Sequence, residues 1–178
     1  SISHLDYDIG QSIILAIGIS AFISSLIGFL ALRTIGVSFM IVTLMFSQIA
    51  YLSILYFGSI TRGDEGFVIQ QSSRIFFSLD LSNPTIRYYS ALLIFSLCIF
   101  INLWIAKSSF GRVLVAIREN SDRALMLGYN VQSYKLLSII ISGTISGFAG
   151  ACYGILFGYV GASFATVSYS IFPLLWVL

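Results

Sequence analysis

The chain has 178 residues, of which 58% are hydrophobic and only 9% charged, with a formal net charge of +2. A water-soluble domain usually carries about a quarter charged residues, so this sequence lacks the polar surface to cover one and belongs in a lipid bilayer. The small net charge, without a basic patch interleaved with aromatics, argues against a nucleic-acid partner.

The chain opens at Ser1 with Asp6 and Asp8, the wrong flank for a cleavable signal peptide. His4 has no His or Cys neighbour and reads as a surface or interfacial residue. Ile9 to Leu32 carries no charge and is long enough for a first membrane span, ended by Arg33. The run from Thr34 to Thr61 is also uncharged, and "VSFMIVTLMFSQIAYLSILYF" supplies a second span. Its Thr43, Ser47 and Gln48 are polar groups that tend to face protein rather than lipid, because an unsatisfied polar group in hydrocarbon is costly.

The third span is "YYSALLIFSLCIFINLWIA", Tyr88 to Ala106. Asn83 is a natural cap before it, and Pro84 suits a first helical position, where no backbone donor is needed. Tyr88, Tyr89 and Trp104 stand near its ends, as interfacial aromatics do.

The fourth span is "LLSIIISGTISGFAGACYGILFG", with Gly143, Gly147, Gly150, Gly154 and Gly158 along one expected face. Glycine is a poor helix former, so such a stripe points to another helix approaching closely. Cys98 and Cys152 lie inside apolar runs and form neither a disulfide framework nor a metal spacing. Pro173 should kink or start a fifth segment, "YSIFPLLWVL", which falls short of the ~20 residues a span needs. The expectation from both ends is a fragment of a longer chain. The expected fold class is all-α, a polytopic transmembrane bundle of four full spans and a truncated fifth.

Alternation of these spans puts Arg33, Lys107, Arg112, Arg118, Arg123 and Lys135 on one side with two acidic residues. The other side holds Arg62, Arg74 and Arg87 with five acidic residues. The side richer in Lys and Arg is expected to be cytoplasmic. That side contains the polar stretch "GRVLVAIRENSDRALMLGYN", Gly111 to Asn130. Arg118 with Asp122, and Glu119 with Arg123, have the four-residue spacing that supports a helix. Asn120 or Ser121 is a candidate cap for a second short helix, with Asp122 in its first turn and Gly128 as its stop. Ala124, Leu125 and Leu127 add a small apolar patch. Two readings stay open on physical grounds: a knob that docks another protein, or an interfacial helix lying on lipid headgroups.

The residues "FGRVLVAIREN…RALMLGYN…YKLL…SGFAGA" resemble the cytoplasmic loop and following helix of the branched-chain amino-acid permease family, integral membrane subunits of bacterial ABC importers. The likeness extends to "ALRTIGVSFMIVTLMFSQ", "TRGDEGF", "LDLSNP…YY" and "YSIFPLLWVL", and so covers nearly the whole chain. It implies one permease domain over residues 1–178, with a cytoplasmic coupling loop at 107–135 that seats in a groove on an ATPase subunit. Ala116, Ile117, Arg118, Glu119, Ala124 and Gly128 match the family pattern, and Asp122 and Arg123 belong to the same loop. Ser121 departs from the acidic residue common in the family, and Arg123 from the frequent small one. Urea-type permeases share much of this motif.

The resemblance further implies a bacterial inner-membrane location, cytoplasmic ATPase partners, a second related permease and a periplasmic substrate-binding protein. The binding protein is expected to meet the external loop at Arg62, Asp64, Glu65 and Gly66. A small zwitterion or neutral amide would pass by alternating access along Thr43, Ser47, Gln48 and the glycine face from Gly143 through Gly147 and Gly150 to Gly154, unless those residues only hold helices together. No cofactor, metal or catalytic site is expected: "WIAKSS" has the Lys-Ser of a nucleotide-binding loop but no preceding glycine, and no nucleophile–base pair stands out. No charged residue lies within a proposed span, which argues against ion-coupled transport. A passive channel or secondary transporter remains the alternative of a different class.

Overall fold

The computed structural model of the chain describes residues 9–34, 36–68, 75–76, 79–80, 83–169 and 171–172. His4, Arg74 and Pro173 lie outside them. Among the described residues four helices are long and apolar enough to cross a membrane: α1 (Ile9–Ala31), α2 (Val37–Tyr56), α4 (Pro84–Lys107) and α7 (Val131–Phe157). At ~1.5 Å per residue each is about 30 Å or longer, the thickness of a hydrocarbon core. Shorter elements join them: α3 (Gly58–Thr61), β1 (Phe67–Val68), β2 (Ile75–Phe76), β3 (Leu79–Asp80), α5 (Ser109–Glu119), α6 (Ser121–Met126) and β4 (Tyr159–Val160). The strands form two short antiparallel ladders, β1 with β4 and β2 with β3.

Side-chain caps set where the helices begin. Asn83 accepts a hydrogen bond from the Thr85 N–H at 3.1 Å, so α4 starts at Pro84, ahead of the apolar run. Asn130 likewise accepts from the Ser133 N–H at 3.2 Å and starts α7 at Val131.

The most extensive packing joins α1 to α7. Small residues cause it. A Cβ on Gly143 would overlap the Ser24 side chain, and one on Gly147 would overlap Ser20. In return a Cβ on Gly28 of α1 would lie 3.1 Å from Ile139 and Leu136 of α7. The pairing runs 20–24–28 against 147–143–139, so the two helices are antiparallel, with serine against glycine at two positions and Gly28 beneath Ile139 at the third. Without a hydrophobic driving force inside lipid, such close van der Waals contact is what holds helices together. The glycine stripe is therefore shorter than its spacing implied. Gly150 meets nothing within 4 Å, and Gly154 packs instead on Val160. Gly158 ends the helix at φ 67°. Beyond Gly147, α7 leaves α1's small face and turns toward α4 and β4.

At one end of the bundle Ile155 and Leu156 of α7 are covered by Ile13 of α1 and by Ile86, Ala91 and Ile94 of α4. Neither α2 nor α4 buries a residue, and large side chains such as Met45, Leu93, Phe95 and Phe100 are exposed. In a bilayer those faces meet lipid or other protein.

Candidate functional site

The polar stretch folds as an elbow of two short helices between α4 and α7. Ser108 breaks the chain from α4, and its side chain accepts from the Gly111 N–H at 3.3 Å. Gly111 is then pressed onto the last turn of α4. A Cβ there would overlap the Ala106 carbonyl and come within 2.6 Å of the Ile105 oxygen, so only glycine permits this corner. Arg112 donates to the Lys107 carbonyl and to Ser109 Oγ, both at 3.1 Å, which satisfies a helix-end acceptor with a cation.

Helix α5 ends at Asn120, whose backbone is extended and whose Oδ1 accepts from the N–H groups of Asp122 and Arg123 at 3.1 and 3.0 Å. Asn120, rather than Ser121, is thus the cap of α6. The break also overturns the expected ion pairs. Residues 118 and 122, or 119 and 123, no longer share a helix face, and Arg118 pairs instead with its neighbour Glu119 at 3.2 Å. Both partners are largely exposed, so the pair adds little stability. Gly128, at φ 87°, closes α6: its N–H bonds the Leu125 carbonyl and that of Tyr129 bonds the Ala124 carbonyl.

A small core holds the elbow rigid. Ile117 of α5, Ala124 of α6 and Val131 of α7 are buried together, with Val113 and Tyr134 packed against them. Phe110 stacks on Tyr134 at 5.6 Å between ring centroids. Two residues expected to contact a partner, Ile117 and Ala124, are therefore inside this core, while Ala116, Arg118, Glu119, Asp122, Arg123 and Gly128 are exposed on it. What the elbow presents at its tip is apolar. Met126 is 87% exposed and Leu127 74%, with Leu125 beside them. Met126 was not singled out by the sequence, although its place in "RALMLG" next to the helix-closing glycine is the signal for it.

The second expected region, near Arg62, is a cap over the other end of the bundle. Arg62 adopts a left-handed conformation at φ 56°, the one non-glycine residue to do so among those described. Its guanidinium lies 5.8 Å from the centre of the Phe67 ring. Asp64 and Glu65 form a single 3-10 turn, and Glu65 is exposed. Gly66, at φ 68°, sits where a Cβ would come within 2.6 Å of the Val160 oxygen. It is the contact that lets Phe67 and Val68 pair with Val160 and Tyr159. Aromatic rings of Tyr153, Phe157, Phe164 and Tyr169 cluster behind this ladder, and Arg87 lies over Phe157 at 5.6 Å.

The proposed path residues do not assemble. Thr43 donates to the Met40 carbonyl at 2.8 Å on its own helix, Ser47 is half-buried, and Gln48 is exposed. Gly143 and Gly147 are taken up by α1. A polar groove lies elsewhere, between α4, α5 and α7. It has a volume of about 340 Å³ and is lined by Asn102, Ser138, Ser142 and Ser146 on one hand and by apolar Ile105, Phe110, Leu114, Ile141 and Ile145 on the other. The three serines recur every fourth residue, a pattern the glycines had obscured. Among the described residues no group of three or more His, Cys, Asp or Glu side chains is placed to hold a metal ion.

Four apolar helices of spanning length, two of them joined by the elbow, define a multi-pass membrane protein, and its family places it in the transport class. The chain belongs to the family of the permease component of branched-chain amino-acid transport systems, whose pattern it matches over residues 6–178. No curated protein and no solved structure is detectably similar to it.

Proposed function

We propose that the chain is the membrane-spanning permease subunit of an ATP-driven ABC importer in a bacterial inner membrane, carrying branched-chain or similar small amino acids by alternating access. The observation that carries this reading is the elbow. Its core of Ile117, Ala124 and Val131 is buried, while Leu125, Met126 and Leu127 stand out into solvent or a partner. An exposed apolar tip on a rigid, capped mount is costly in water and is best accounted for by a partner that covers it. Charged Arg118, Glu119, Asp122 and Arg123 around it would orient that partner. A cytoplasmic ATPase subunit fits this role, since the chain has no nucleotide-binding loop of its own.

In this scheme closure of the ATPase pair pushes the tip. Gly111 and the Phe110–Tyr134 stack pass the movement to α4 and α7, because a packed corner transmits displacement rather than absorbing it. The α4–α7 groove at Asn102, Ser138, Ser142 and Ser146 would open or close with them, offering hydroxyls and a carboxamide to a zwitterion and Leu114 to its apolar side chain. A second related permease would cover the exposed faces of α2 and α4. A periplasmic binding protein would deliver substrate at the Arg62–Gly66 cap.

The test is uptake of labelled leucine, isoleucine, valine and urea by the transporter reconstituted with its ATPase, partner-permease and binding-protein subunits, with and without ATP. ATP-dependent accumulation that falls about tenfold in a Met126→Ser/Leu127→Ser variant, a loss on the order of 1.4 kcal/mol in coupling, is the expected outcome. Equilibration regardless of ATP would sink the importer reading.

A further inference from the structure

We propose that a second groove, beside Lys135, is a binding site for an anionic phospholipid. It lies where the end of α1, the start of α2, α5 and α7 meet, on the far side of Leu114 and Ser138 from the polar groove, and has a volume of about 340 Å³. Its composition is graded. Lys135 stands at its outer end, in the first turns of α7; Phe39 and Ile139 lie about one turn deeper along α2 and α7, with Leu32 and Leu114 on the walls, and the Ser138 side chain is the polar group at that depth.

Lys135 is exposed, and among the described residues the one ion pair is Arg118 with Glu119, so its ammonium has no carboxylate partner there. The acidic residues at this end, Glu119 and Asp122, do not line the groove. The hydroxyl of Thr34 is committed to the Ala31 carbonyl at 2.7 Å. The other cation nearby, Arg33, does not line the groove. Arg33 falls between the lining residues Leu32 and Thr34, and its guanidinium rests 5.2 Å from the centre of the Phe29 ring, which is 58% exposed on the outer face of α1.

A cationic rim above an apolar floor, open to the side of a membrane bundle at the level of its helix ends, matches one ligand chemistry. A phosphate ester with acyl chains places its charge at Lys135 and its chains along Phe39 and Ile139. A soluble anion would leave the apolar floor wet, and another apolar helix would bury the ammonium unpaired. A zwitterionic lipid would bring its own cation against the rim. The proposal does not depend on the importer reading.

The test is native mass spectrometry of the complete transporter in mild detergent, with phosphatidylglycerol and phosphatidylcholine of the same chains offered together. Wild type is expected to retain the anionic lipid about fivefold over the zwitterionic one, as one interfacial basic residue provides. Lys135→Ala should bring the ratio near one, Lys135→Arg should keep it, and Arg123→Ala, on the elbow away from the groove, should leave it unchanged. Equal retention of both lipids by wild type, an unchanged ratio in Lys135→Ala, or an equal loss in Arg123→Ala overturns the site. Soluble glycerophosphate should not displace the lipid at equal concentration. If it does, the ligand is a free phosphate ester and the lipid assignment fails.

Discussion

The elbow and the cap close opposite ends of the same bundle with the same device and very different reach. In each, a glycine is pressed against a backbone carbonyl: Gly111 on Ala106 in the elbow, Gly66 on Val160 in the cap. The elbow then completes itself locally. Ser108 and Asn120 cap its helices, Gly128 stops one of them, Asn130 caps the helix that follows, and its core of Ile117, Ala124 and Val131 comes from neighbouring turns. The cap is completed only when the exit of α2 meets the exit of α7, through Phe67 with Val160. A locally closed unit can move as a body, and a unit tied across the bundle resists movement. In the proposed scheme that division suits a lever at one end and a fixed rim at the other.

The largest expected effect breaks the lever. Gly111→Val must displace α4 from α5, and transport should fall at least about a hundredfold, with new protease cuts in the elbow; overpacking against backbone costs roughly 1–3 kcal/mol or more. Normal uptake in this variant would show that the corner transmits nothing. Ala124→Arg should come next, for a reason other than lost docking. It drives a cation into the elbow's core, so the elbow should become protease-sensitive as uptake is lost. Met126→Ser/Leu127→Ser separates the two roles, since it should lose uptake while protease resistance stays at the wild-type level.

The cap should give a middling result. Gly66→Ala puts a Cβ at φ 68° against the Val160 oxygen, a cost of about 1–3 kcal/mol. Thermal stability of the purified transporter should drop while uptake, per folded molecule, stays within about twofold. If uptake collapses instead, the cap is either a moving part or the surface where substrate is delivered, and binding-protein affinity separates the two. The smallest effect is expected at Arg118→Ala. The Arg118–Glu119 pair is exposed, so stability should shift by no more than about 0.5 kcal/mol. Any larger change in uptake then reports a contact with the proposed ATPase partner rather than an internal one.

The elbow was readable because its signals are short-range. Asn120, Asp122 and Gly128 announce a cap, a first turn and a stop within a few residues. Even so, the same residues supported continuous-helix ion pairs, and only the geometry at Asn120 decides between a helix and a break. Ala124 was legible as small and apolar but not as buried, since a short amphipathic helix does not reveal which neighbour covers it. The serines at 138, 142 and 146 were hidden by the same ambiguity: α7 carries glycines on one face and hydroxyls on another, and spacing alone does not say which face meets a helix and which a groove.

The sequence by itself determined the membrane setting, the four spans and most helix ends, because hydrophobic run length and capping side chains act within a turn or two of where they stand. Tertiary structure alone decided that Ser20, Ser24 and Gly28 of α1 interlock with α7, and that Gly66 serves Val160. It alone also decided that the polar groove opens beside Asn102 rather than Thr43. Inside lipid every apolar face is equally at home, so partner choice rests on shape complementarity between distant segments, and that information exists only once the helices have met.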